Sequence, residues 1–242
     1  MTYLLLICIA ETVELTPEQS AAVGRGTESW VAEMAGRGVR KEGAPLRPVR
    51  EAVTVRVRGG ELLVSDGPFA ETKEQIAGYD VIECPSLDEA IEVAAKHPGA
   101  ALGAVEVRPF DAGGWWRSAD SGRGPEYMMI HCLDQSAELS PADDCDVPGS
   151  AAAREQQAWD AETEASGVKL AGGRLRPAGA ARTVRVRDGQ VLVSDGPFAE
   201  TKEQVAGLNV LTCPTLSDAA QIATRHPTAR IGIFELRAFE QG

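Results

Sequence analysis

The stretch VSDGPFAETKEQ, residues Val64–Gln75, recurs unchanged as Val193–Gln204. Two identical twelve-residue strings in one chain mark an internal duplication. The offset of 129 that superposes them also lays Trp30 on Trp159, Gly43 on Gly172, Cys84 on Cys213 and His97 on His226. Nearer the start the offset is 124, with Tyr3 on Tyr127, Cys8 on Cys132 and Leu15-Thr16-Pro17 on Leu139-Ser140-Pro141. The second copy therefore carries five extra residues, which the alignment places within Cys145–Gly149. Units this long are whole domains; solenoid repeats run to about 20–50 residues. The expected division is a first domain over 1–111, a linker over 112–125 and a second domain over 126–242.

Outward from the repeated string, the pattern alternates short apolar runs with capped helical stretches. Tyr3–Ile9 reads as a buried strand. Thr16-Pro17-Glu18-Gln19 is a capping box with proline at the first helical position, predicting a helix to about Arg37. Ser140-Pro141-Ala142-Asp143 predicts the same start in the second copy. Val39–Leu46 reads as a strand, and Thr54–Arg58 with Glu61–Ser65 as a hairpin closed by Gly59-Gly60, with Asp188-Gly189 as its counterpart. Gly78–Cys84 follows as a strand, Ser86–Glu89 caps a helix ended by His97-Pro98, and Leu102–Val107 closes the unit. Setting the hairpin aside leaves βαββαβ, the ferredoxin-like split unit with both helices on one sheet face. The other face needs a cover, which the sheet of the second copy is expected to supply.

The chain carries 36 acidic against 24 basic residues, a formal charge of −12, with 43% hydrophobic content. That field repels nucleic acid and anionic membranes, and no Lys/Arg run offsets it. Leu4–Ala10 is apolar but too short to span a bilayer and has no basic segment before it. Five cysteines without a C-x-x-C point to reduced thiols and a cytoplasmic setting. Three scattered histidines lack metal-ligand spacing, and no P-loop, G-x-G-x-x-G or G-x-S-x-G occurs, so neither metal nor cofactor is expected.

Candidate residues follow from the repeat. Asp66 and Asp195 each end an apolar strand before Gly-Pro, where aspartate either accepts backbone N–H groups in a turn or serves as a general base. His97 and His226 are read as helix C-terminal residues, where a charged imidazole is favoured by the helix dipole or passes protons to a nearby aspartate. His131 replaces Ile7 within a strand and marks the difference between the copies. Arg56 and Arg185 on the hairpins, with Lys73 and Lys202 on the following loops, are candidates for holding a small anionic or polar ligand. Ion pairing with abundant Asp and Glu is the alternative. Trp115 and Trp116, in an otherwise Gly/Ser/Asp-rich linker, are expected to dock on a barrel edge, with a substrate lid as the alternative.

Ser65–Glu74, the Gly-Tyr or Gly-Leu strand after it, and the closing Val105-Glu-Val-Arg-Pro-Phe110 resemble the DGPF-type branch of the YCII-related domain family. The resemblance covers nearly all of both halves. It implies an α+β fold of the dimeric α+β barrel type, here built from two tandem ferredoxin-like domains within one chain as a pseudo-dimer. It also implies an acid–base site with an Asp/His pair, acting without cofactor in elimination, isomerisation or hydration of a small organic molecule near the Asp-Gly-Pro-Phe loop. In such members the histidine lies on the first helix, and neither first helix here has one. The alternative is a non-catalytic binding or regulatory module, linked to an extracytoplasmic-function sigma factor, for which an acidic surface suits a basic protein partner.

Overall fold

The computed structural model describes residues 1–119, 124–134, 136, 140, 142–145 and 147–240. The first copy runs β1 (Thr2–Ile9), α1 (Pro17–Gly36), β2 (Arg40–Pro45), β3 (Val53–Arg58), β4 (Glu61–Asp66), β5 (Gln75–Glu83), α2 (Leu87–Ala95), α3 (Pro98–Leu102) and β6 (Ala104–Pro109). The linker contributes β7 (Trp116–Arg117). The second copy runs β8 (Glu126–Leu133), α4 (Ala151–Ala165), β9 (Lys169–Arg174), β10 (Arg182–Arg187), β11 (Gln190–Asp195), β12 (Gln204–Thr212), α5 (Leu216–Thr224) and β13 (Ile233–Ala238). The protein is α+β, with two antiparallel sheets.

Local chemistry explains most of these boundaries. Thr16 accepts from Gln19 N while the Gln19 side chain accepts from Thr16 N, so α1 opens on a complete capping box. Ser86 caps α2 in the same way through Glu89 N. The Gly59-Gly60 and Asp188-Gly189 turns all have positive φ, from 52° to 83°, which a tight hairpin with right-handed strand twist demands. The second copy departs from expectation at its first helix. Ser140 accepts from Asp143 N in a turn, but α4 begins only at Ala151, capped by Ser150, whose Oγ accepts from Ala153 N. The inserted residues interrupt the first turn that α1 retains, and the predicted proline at the helix start, Pro141, lies outside the described residues. A second correction concerns the His-Pro pairs. They do not close helices: α2 ends at Ala95, and His97 is the N-cap of α3. His226 likewise caps a 3-10 turn over Pro227–Arg230.

Each sheet has a ferredoxin-like core order, β6-β1-β5-β2 in one and β13-β8-β12-β9 in the other. Onto each core is added a hairpin from the other copy. In the first compact unit (1–46, 71–114 and 175–200), β10 pairs with β6, matching Arg182 to Val107 and Val184 to Val105, and β11 forms the edge. In the second unit (47–70, 115–174 and 201–242), β3 pairs with β13, matching Val55 to Phe234, and β4 forms the edge. The sequence repeats and the compact units thus differ by one exchanged hairpin apiece. Helix-side cores hold Leu5, Trp30, Met34, Ile82 and Val184 in the first unit and Val55, Met129, Trp159, Leu211 and Phe234 in the second. Val184 and Val55 belong to the exchanged hairpins, so each core is completed by the other copy.

A buried carboxylate fastens each hairpin. Glu106 is 1% exposed, binds the Arg108 guanidinium and accepts from Phe198 N at 3.0 Å. Arg108 also donates to Arg176 O at 3.3 Å. In the second unit Glu235 accepts from Phe69 N at 3.1 Å and from Arg237 Nη1 at 3.2 Å, while Arg237 Nη2 donates to Arg47 O at 2.7 Å. The phenylalanine of Asp-Gly-Pro-Phe is therefore the residue whose amide reads the last strand of the other copy. Glu106→Ala strands Arg108 and the Phe198 amide, and should cost about 3–5 kcal/mol. Asp66→Ala, at an exposed position, should cost under about 1 kcal/mol. Urea unfolding monitored by circular dichroism checks the contrast, and equal losses for the two variants would contradict the clamp.

Candidate functional site

Asp80 stands in the middle of β5, opposite Leu5 of β1 and Gly43 of β2, on the sheet face that carries the helices. A carboxylate there needs space and partners. Gly43 supplies the space: a Cβ at that position would lie 2.1 Å from Asp80 Oδ1. Arg40, on the same strand as Gly43, donates from Nε to Asp80 Oδ1 at 2.6 Å and from Nη2 to Gly43 O at 2.8 Å. His97 Nε2 faces the other oxygen, Oδ2, at 3.8 Å.

The imidazole is held in one tautomer. Its Nδ1 accepts from Gly99 N at 2.9 Å, so the proton of the neutral ring is on Nε2, toward Asp80. Trp30 meets the ring edge-on at 4.7 Å and is itself anchored by Nε1 donating to Val93 O. Burial pushes the Asp80 carboxyl up to about 6, against the pull of Arg40. Burial, reinforced by Arg40, pushes His97 down to about 4. Near neutral pH the site holds an Asp80 carboxylate, a neutral His97 and a cationic Arg40. The expected charged imidazole at a helix C-terminus is thus corrected: as an N-cap, His97 spends a lone pair on Gly99 N–H and stays neutral.

The second copy keeps the frame and changes the groups. Trp159 Nε1 donates to Ile222 O, His226 Nδ1 accepts from Thr228 N, and the two rings meet at 4.7 Å. Gly172 again opposes the strand residue, but that residue is Asn209 in place of Asp80. Its side-chain amide lies 2.8 Å from Nε2 of His131, which stands where the first copy has Ile7. Lys169 replaces Arg40 and turns to Asp160 Oδ1 at 2.5 Å and Glu164 Oε1 at 3.0 Å, where the first copy has Val31 and Ala35. His226 Nε2 is buried with no hydrogen-bond partner among the described residues. Burial takes His226 down to about 3, and burial with the nearby His226 and Lys169 takes His131 well below the usual imidazole range.

The other candidate residues lie apart from these frames. Asp66 and Asp195 are exposed at the ends of β4 and β11; Asp195 is 90% exposed and pairs with Arg182 Nε at 3.1 Å. The glycines after them have φ of 92° and 88°, and Gly67 N and Gly196 N donate to Ala52 O and Ala181 O. These are the marks of a turn. Arg185 is neutralised by Glu74 at 2.6 Å, Lys202 lies 3.8 Å from Asp134, Lys73 is exposed, and Arg56 is half-buried with no ion-pair partner among the described residues. Sequence reading missed Asp80, Arg40, Asn209 and Lys169. The available signal was a charge inside the apolar run Gly78-Tyr-Asp-Val-Ile82 that becomes an amide in the repeat. Trp116 lies on the edge of one sheet, pairing with Gly172 of β9, and its ring lies 5.7 Å from Lys169 Nζ.

These features define a class: a tandem α+β protein in which each ferredoxin-like sheet carries a buried capping histidine packed against a tryptophan of the first helix of its copy. The YCII-related domain matches residues 1–111 and again 127–241, and the chain belongs to that family. It is also 50% identical over 69 residues to an uncharacterized protein of Rhizobium meliloti (strain 1021); the stretch is 28% of this chain and 56% of that relative.

The buried groups set a pH dependence. His97, His131 and His226 have folded-state values below about 6.5, so the unfolded chain binds more protons and stability falls as pH drops through that window. Asp80 acts oppositely: its value is higher folded than unfolded, so its cost is absent below about 4 and fully present above about 6. Glu235, whose carboxyl burial also pushes up, acts in the same sense as Asp80; three histidines outweigh these two carboxylates, so unfolding free energy should decrease from pH 7 to pH 5. Asp80→Asn should steepen that decrease, by up to about 1.4 kcal/mol per pH unit. Urea titrations at half-unit pH steps test this; a flat wild-type profile would refute it.

Proposed function

We propose that the first copy is a cofactor-independent acid–base site acting on a small organic molecule, by elimination, isomerisation or hydration. The observation that carries this reading is the buried Asp80 carboxylate with its Oδ2 toward His97 Nε2 and its Oδ1 on Arg40. Asp80 is the group that takes a proton and returns it, since its value near 6 lies close to working pH. His97 presents an N–H to the carboxylate and, through the Gly99 bond, keeps that N–H pointed inward. Arg40 steadies the ionised form. Proton transfers of this kind typically contribute about 10²–10⁴-fold. This reading moves the site from the Asp-Gly-Pro-Phe loop, where the motif's own hydrogen bonds build a turn and a clamp, to the helix side of β5. Membership of the DGPF-type branch belongs to the same proposal.

For the second copy a different reading is favoured, because Asn209 has no proton to exchange in this range and Lys169 is already paired with two carboxylates. We assign it the non-catalytic role, as a binding or regulatory half to which a protein partner such as a sigma factor would attach.

The test is a screen of small organic substrates against the full chain, followed by variants. Asp80→Asn should lower kcat by about 10²-fold or more, whereas Asp66→Asn, Asp195→Asn and Asn209→Ala should stay within about threefold. Turnover that survives Asp80→Asn and fails in Asp195→Asn would return the site to the loop.

A further inference from the structure

The two copies differ in more than their strand residue; they differ in what lies on the adjoining sheet edge. In the second unit β9 is covered by β7: Trp116 pairs with Gly172, Arg117 with Ala171, and Ser118 N donates to Leu170 O at 2.7 Å. Leu170, Ala171 and Gly172 are buried, where the first copy has Lys41, Glu42 and Gly43. In the first unit β2 is the last strand of its sheet, and no residue of its Arg40–Pro45 stretch is fully buried. The chain has one linker, and that linker closes one of two equivalent edges.

The cations behind those edges are also in different states. Lys169 has two carboxylate partners and the Trp116 ring above it. Arg40 has one carboxylate partner, Asp80, because Val31 and Ala35 stand where Asp160 and Glu164 stand in the second copy. Its Nε and Nη2 are engaged, while Nη1 makes no hydrogen bond among the described residues, and the side chain is 17% exposed. A guanidinium with Nη1 free can donate to an incoming carboxylate oxygen while its other nitrogens stay in place.

We propose that the first copy binds one small organic carboxylate per chain, entering over the open β2 edge and held by Arg40, while the second copy, sealed by the linker strand, binds none. The inference rests on the acid–base reading of Asp80 and names its substrate class. The charge balance supports it. With Asp80 ionised, Arg40 is already neutralised and a second anion is repelled; with Asp80 protonated, the ligand carboxylate takes over the pairing. Besides Arg40, Asp80 is faced among the described residues by His97, which stays neutral and packs on Trp30 of α1, and by the apolar Leu5 of β1. Carboxylate uptake therefore draws a proton onto Asp80 and leaves it as the acid in the complex. Affinity falls as pH rises through the Asp80 titration, approaching tenfold per pH unit above it. A phosphate dianion is a poorer fit, because a single arginine with one free nitrogen offers too few donors.

The experiment uses the full chain labelled with 15N, titrated with benzoate and with its neutral isostere benzamide, reading the Arg40 Nε–H and His97 imidazole signals. Benzoate should shift both signals with a stoichiometry of one, bind at least about tenfold tighter at pH 5.5 than at pH 7.5, and outcompete benzamide. Arg40→Lys, which keeps the charge and loses the fork, should weaken benzoate by about tenfold, and Lys169→Met should leave it unchanged. Equal binding of benzamide, two equivalents per chain, affinity independent of pH, or Arg40→Lys binding as wild type would each overturn the proposal. Failure here with turnover still abolished by Asp80→Asn removes the carboxylate and spares the acid–base site. Benzoate binding as described, with turnover indifferent to Asp80→Asn, does the reverse.

Discussion

The pairing of each copy's last strand with the other copy's hairpin is the interaction on which the rest of the molecule depends. Without β10 the edge of β6 would expose its backbone groups, and Val184 would be missing from the first core. Without β3 the same holds for β13 and Val55. Backbone hydrogen bonds make such an edge adhesive but not selective. Selectivity comes from the buried Glu106–Arg108 and Glu235–Arg237 pairs, each of which leaves one carboxylate oxygen for a single amide of the incoming loop. A buried ion pair is a weak source of net stability, but removing one partner leaves an uncompensated charge and is costly. Here it sets which loop ends where. The repeated Asp-Gly-Pro-Phe string is explained by this: the glycine turns the chain, and the phenylalanine amide reports to the clamp.

With the hairpins secured, the helix face of each sheet is free to carry a polar group under an apolar roof. The first copy uses that opportunity for a carboxylate and an imidazole whose protonation equilibria are displaced in opposite directions by the same burial. The second copy shows how little change removes the arrangement. An aspartate becomes an amide, an arginine becomes a lysine, and two apolar helix positions become acidic. The tryptophan, the capping histidine and the strand glycine persist because they are part of the fold. The second copy thus retains the frame without the buried carboxylate.

How much of this is legible in the chain differs between fold and site. The capping boxes at Thr16–Gln19 and Ser86–Glu89, the glycine turns and the βαββαβ order all depend on contacts among residues close in sequence, so their local chemistry declares them. The start of α4 does not follow its repeat: its cap, Ser150, lies ten residues beyond Ser140, five more than the extra residues supply, and only the packed helix shows which serine is used. The site was largely hidden: Arg40 and Asp80 lie 40 residues apart, and Asp80 sits in a run that reads as an ordinary buried strand. The candidates that composition and motif did suggest, Asp66 and Asp195, prove to be surface turn residues, since a Gly-Pro after an aspartate is a backbone signal before it is a chemical one.

Duplication, strand and helix content, and the class of fold are therefore written in the order of residues, because periodicity and turn chemistry act over a few positions. The exchange of hairpins, the identity of Asp80's partners and the inequality of the two copies arise only when distant strands are brought into register. Hydrogen-bond register and burial are properties of neighbours in space, and it is burial that turns an inconspicuous aspartate into a group that titrates near neutrality.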